Sequence, residues 1–118
     1  MFNCAVRNTD DHELNHGLVH VAGDIFELAP AYDVVPDIRS RRVNRHALQI
    51  GESADGTVAN LIGNAEAFGV ARDEALSIIA QIETKVIDRW RDVFYAAGFD
   101  DEGLRKLERI FTAIPRHA

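Results

Sequence analysis

The stretch NTDDHELNHGLVHVAGDIFELAPAYDVVP, residues 8–36, changes character twice. Residues 8–17 are polar, with Asn-Thr-Asp at one end and Gly17 at the other, and read as a loop. Two short apolar runs, LVHVA (18–22) and IFEL (25–28), flank Gly23-Asp24. That arrangement predicts a β-hairpin closed by a two-residue turn. Residues 29–36 are bracketed by Pro30 and Pro36, which discourage helix. Upstream, residues 1–7 are too short to define an element and look like the end of a helix whose beginning is missing. Downstream, residues 37–56 read as irregular, with a short strand expected over HALQI (46–50).

From Thr57 the pattern turns helical. Val58, Leu61, Ile62, Ala65 and Phe68 follow helical spacing, with Thr57 as N-cap and Gly69 just past the end. A longer helix is predicted from about Ala71 to about Ala97. Its apolar stripe is Ala75, Ile79, Ile82, Val86, Trp90 and Val93, and Gly98 ends it. Asp100 is placed to cap a last helix with Leu104, Leu107, Ile110 and Ile114 inward, stopped by Pro115. Asp101–Arg105 and Glu102–Lys106 have the stabilising i, i+4 orientation. These stripes, Trp90 included, read as core. The expected fold is mainly α: one small β-hairpin followed by a three-helix bundle.

The chain has 118 residues, enough for one domain with a real core. The expected division is a polar segment over 1–56 and a helical segment over 57–118. Net charge is −6, with −5 of it in residues 1–33 and −1 in residues 34–118. This balance argues against nucleic-acid binding by bulk electrostatics. Carboxylates so concentrated repel one another unless a cation or basic partner relieves them. A single cysteine, Cys4, excludes an internal disulfide and any Cys-based zinc site, and suggests a reducing, cytoplasmic setting. No apolar run approaches the ~20 residues of a membrane span.

The chemistry concentrates in residues 8–16. Asp10 and Asn15 are five positions apart in a loop, the Asp-to-Asn offset of a protein-kinase catalytic loop. In such a loop the Asp accepts or orients the proton of an attacking hydroxyl. The Asn offers Mg²⁺ a neutral oxygen. A second carboxylate must arrive from elsewhere, and a hairpin at 18–28 returns the chain so that Asp33 can supply it.

NTDDHELNH, then LAPAYDVVP, then HALQIG resemble the C-terminal lobe of HipA-like serine/threonine kinases, the toxins of bacterial toxin–antitoxin pairs. That family's catalytic loop reads approximately T-D-x-H-x-x-N, and its metal-binding segment L-(S/T/A)-P-x-Y-D. The resemblance implies that Asp10 is the catalytic aspartate, and that Asn15 and Asp33 bind Mg²⁺ alongside ATP. His12 matches a recurring family position, with an expected role in hydrogen-bonding the loop. Implied partners are a HipB-like antitoxin, an N-terminal lobe and a protein substrate.

The sequence departs from a whole kinase. It holds no Gly-rich phosphate loop, and its two lysines, Lys85 and Lys106, fall in the C-terminal helices. The chain therefore reads as a truncated gene product, one piece of a split kinase or an excised subdomain, inactive on its own. The alternative is a non-catalytic helical interaction module, such as a homodimer covering apolar surface.

Other constellations carry less. His12, His16 and His20 would line one helix face and bind Zn²⁺ with Asp10 or Glu13, but Gly17 and the strand-like residues after it break that helix. Arg39, Arg41, Arg42 and Arg45 form a basic cluster that suits phosphates or acidic partners, or simply faces water. Cys4 reads as a small buried hydrophobe rather than a nucleophile.

Overall fold

The computed structural model describes residues 1–38 and 44–111. Arg39, Arg41, Arg42, Ile114 and Pro115 lie outside the described residues.

Helix α1 (Phe2–Ala5) opens the chain. A 3-10 turn (Glu13–Asn15) follows in the polar loop. Strands β1 (Leu18–Ala22) and β2 (Ile25–Leu28) then form the expected antiparallel hairpin. Leu18 pairs with Leu28 and His20 with Phe26, and the register shifts between His20 and Ala22. Gly23 takes a left-handed φ of 53° in the connecting turn, the conformation glycine adopts most cheaply. Every residue of both strands is exposed. A two-stranded hairpin with two bare faces has little stability of its own. This one is anchored at its base, where Ala29 N–H donates to the Gly17 carbonyl at 2.8 Å.

Residues 46–50 form no strand. An isolated bridge joins Arg45 to Asp55, and the surrounding backbone groups bond elsewhere. Ala47 N–H donates to the Thr9 carbonyl and His46 N–H to the Ala54 carbonyl, each at 2.8 Å. Asparagine side chains satisfy other carbonyls in this segment. Asn60 Nδ2 donates to Ser53 and Asp55, both at 2.9 Å, and Asn64 Nδ2 donates to Ile50 at 2.7 Å.

Thr57 does cap α2 (Val58–Gly63), its hydroxyl accepting from Asn60 N–H at 3.2 Å. The expected single helix over 57–69 is divided, however, with a 3-10 turn over Ala65–Phe68. Three residues per turn rotate the apolar phase, so Phe68 lies 76% exposed instead of inward. Helix α3 (Arg72–Ala96) carries Asp73 and Glu74 in its first turn, where the helix dipole favours acids. Gly98 ends it at φ 94°. Asp100 caps α4 (Asp101–Phe111) through Gly103 N–H at 2.8 Å.

The three C-terminal helices assemble with α3 as the shared member. α2 packs on α3, α4 packs on α3, and α2 and α4 do not touch. Val86, Trp90, Leu104, Leu107, Ile110 and Phe111 form one core with Val6 from the segment after α1. Trp90 stacks on Phe111, with ring centroids 5.0 Å apart. Val93 of the expected stripe is exposed, and Phe94 packs against the core in its place. One further step along the helix turns Phe94 toward Phe99 and Phe111, at 5.0 and 5.9 Å. Ala5 and Val34 pack on this same core. The helical half thus grips the polar half on both sides of the hairpin. No helix among the described residues is long and apolar enough to cross a membrane.

Candidate functional site

Val6 is buried in the core, and the next residue, Arg7, turns the chain with φ 55°. Asn8 follows, only 2% exposed, with its N–H on the Asn3 carbonyl at 2.8 Å and its Nδ2 on Asn3 Oδ1 at 3.3 Å. Thr9 is clamped from two directions. Its hydroxyl donates to Asp37 Oδ2 at 3.1 Å, and its carbonyl accepts from Ala47 N–H. Asp37 N–H in turn donates to the Arg7 carbonyl at 2.9 Å. The loop is therefore tied to the segment after the hairpin just before it reaches Asp10.

Asp10 is exposed. Its carbonyl accepts Asn15 Nδ2 at 3.1 Å and His12 N–H at 3.1 Å, so the turn folds Asn15 back onto Asp10. The amide nitrogen of Asn15 is thereby used, and its Oδ1 accepts no hydrogen bond among the described residues. That is a neutral oxygen donor of the kind Mg²⁺ accepts. Beside it, Asp11 Oδ1 pairs with His16 Nε2 at 2.7 Å.

Asp33 comes from the other side. It is exposed and has φ 53°. It and Arg7 are the non-glycine residues with positive φ among the described residues. Asp tolerates this region better than most residues, yet the conformation still costs free energy. Its neighbours hold it there. Tyr32 Oη donates to the Leu14 carbonyl at 2.9 Å, and Val34 packs against the helical core. Asn15, Asp11, His16, Tyr32 and Val34 border a common cavity of about 230 Å³. The structure thus joins Asp10 to Asn15 directly. Asp33 reaches the same loop through its neighbour Tyr32 and makes no hydrogen bond of its own among the described residues.

One expectation changes and another holds. His12 Nδ1 is buried without a hydrogen-bond partner among the described residues, so this nitrogen does not hold the loop. Asn15, Tyr32 and Thr9 do that work. The three histidines do not converge, since His16 pairs with Asp11 while His20 bonds the Gly23 carbonyl at 2.7 Å. Among the described residues no three His, Cys, Asp or Glu side chains gather as a metal cluster. The expected Mg²⁺ ligands, Asn15 and Asp33, would be a site of another kind, one amide and one carboxylate that leave positions for water and phosphate oxygens.

Behind the loop, Asn44 Nδ2 donates to the Cys4 carbonyl at 2.9 Å and the Gly56 carbonyl at 3.1 Å, while Asn44 Oδ1 lies 3.1 Å from His46 Nε2. Burial lowers the His46 pKa, against an opposing pull from Asp11. Burial also pushes the Cys4 thiol up, which keeps it protonated and unsuited to nucleophilic attack. Asn44, His46 and Tyr32 were not singled out from the sequence. Tyr32 and His46 stood within the LAPAYD and HALQIG segments without a role of their own, and nothing local marked Asn44.

The family model of the HipA-like C-terminal domain matches residues 1–90. The chain belongs to this family. No curated protein and no solved structure gave a match. In this HipA-like domain the matched residues include the loop, the hairpin, the Asp33 segment and α3 as far as Trp90. Helix α4 lies beyond them.

Proposed function

We propose that this chain is the catalytic-loop half of a HipA-type protein serine/threonine kinase. In this reading Asp10 orients, or takes the proton from, the hydroxyl of a protein Ser or Thr. Asn15 Oδ1 and the Asp33 carboxylate hold Mg²⁺, which when bound neutralises charge on the ATP phosphates. The observation that carries the reading is the hydrogen bond from Asn15 Nδ2 to the Asp10 carbonyl, which fixes base and amide in one turn. Thr9, Tyr32 and Val34 position that turn against the Asp33 segment. Phosphoryl transfer depends on positioning and electrostatics, so these 118 residues, without a Gly-rich loop or its lysine, turn over too slowly to measure. The wider setting is a cytoplasmic toxin restrained by a HipB-like antitoxin.

The test is a titration of Mg²⁺, then ATP with Mg²⁺, followed at the backbone amides of Asp10, Asn15 and Asp33. Saturable shifts confined to these residues and lost in Asp33→Asn support the site. Unmoved amides at millimolar ligand refute it.

A second reading rests on the bare hairpin. Leu18, Ile25, Phe26 and Leu28 are each more than half exposed. A separately encoded N-terminal lobe, or a second copy of the chain, would cover them. Sedimentation across micromolar to millimolar concentration separates the two, because only self-association raises the mass of the isolated chain.

A further inference from the structure

A second pocket, of about 570 Å³, lies between the turn before the catalytic loop and α4. Arg7, Arg105, Lys106 and Arg109 line it, with Glu102 as the single acid. A lining charge of +3 within a chain of net −6 is a local reversal of sign. The cations come from two distant parts of the sequence. Arg7 arrives on its left-handed turn, while Arg105, Lys106 and Arg109 share the face of α4 opposite to Leu104, Leu107 and Phe111.

Three of these cations have no anionic partner among the described residues. Lys106 is held by Glu102 at 3.0 Å. Neither Arg105 nor Arg109 has an ion-pair partner among the described residues. Arg7 Nε is buried and has no hydrogen-bond acceptor among the described residues. A buried donor left unmade is costly, and an anion entering the pocket would satisfy it. Guanidinium forks match phosphate oxygens in pairs.

We propose that this pocket binds a phosphorylated serine or threonine side chain of a polypeptide. The volume exceeds what a bare phosphate fills, and Ile38 and Ile110 add apolar wall for the carbon atoms that carry the phosphate. Nucleic acid fits less well, because the chain as a whole carries a net charge of −6. The proposal does not depend on Asp10 transferring phosphate. It also uses three residues of α4 that lie beyond the family match.

The experiment measures fluorescence anisotropy of a labelled peptide containing one phosphoserine, beside its unphosphorylated and Ser→Glu versions and a single-stranded DNA of equal length. The expected result is saturable binding of the phosphopeptide alone, displaced by inorganic phosphate. Arg105→Glu and Arg109→Glu should each weaken it by about tenfold or more, as loss of a charge-assisted bond implies. Both side chains are exposed, so circular dichroism should match the parent. Arg7→Lys keeps the charge but removes the fork, and should also weaken binding. Equal binding of the unphosphorylated peptide, tighter binding of DNA, undiminished binding by both α4 variants or no binding at millimolar peptide would each overturn the proposal.

Discussion

Asp33 offers a test in which the sign of an effect carries the information. Its φ of 53° lies in the left-handed region, where an L side chain costs about 1–2 kcal/mol. The side chain is exposed and makes no hydrogen bond among the described residues, so truncating it forfeits little else. At an ordinary extended or helical position Ala is more stable than Gly by roughly 0.5–1 kcal/mol. At position 33 the order should invert, with Asp33→Gly more stable than Asp33→Ala by about 1 kcal/mol. Both variants remove the proposed metal ligand, so both should lose the Mg²⁺-dependent shifts while differing in stability. Urea unfolding reads this directly, because Trp90, the single tryptophan, is buried in the core and reports its loss by fluorescence. Asp33→Ala equal to or more stable than Asp33→Gly would mean that the left-handed turn does not persist in solution. The account of how the carboxylate is displayed would then fall.

Three further outcomes follow from the same geometry. Trp90→Ala should cost about 3–5 kcal/mol, a large share of the roughly 5–15 kcal/mol available to a small domain, and a loss under 1 kcal/mol would show that α4 is not docked on α3. Tyr32→Phe removes the bond to the Leu14 carbonyl and should cost about 0.5–1.5 kcal/mol while weakening Mg²⁺ binding; unchanged affinity would separate Tyr32 from the site. Burial holds the folded His46 pKa below its ordinary 6.5, so the unfolded chain takes up this proton first as pH falls. The His46 contribution to stability should be complete above about pH 6.5 and decline below it, and a urea midpoint in His46→Gln with the same slope over pH 5.5–7 as the parent would contradict this.

Much of this protein was legible in its residues. The hairpin followed from two apolar runs around Gly23-Asp24, and α3 from a stripe maintained over many turns, because both patterns are set by local geometry. The caps at Thr57 and Asp100 are local as well, each being a side-chain oxygen within three residues of the N–H it meets. Asp10 and Asn15 share one turn, so their juxtaposition needed only their spacing.

Other features depended on contacts between distant segments, which no local pattern records. Residues 46–50 gave up a strand because their backbone groups found Thr9 and Ala54, and Asn64 was drawn to the Ile50 carbonyl beside the break after α2. The left-handed turns at Arg7 and Asp33 are held by Asp37, Tyr32 and Val34 rather than by their own preferences. The meeting of Arg7 with Arg105 and Arg109 likewise required α4 to settle on α3. The sequence alone determined the hairpin, the helix caps and the long helix α3, since hydrogen-bonding ranges of a few residues specify them. Tertiary structure decided how Asp33 is displayed and where the cations gather, because burial and long-range hydrogen bonds override local preference once the chain is compact.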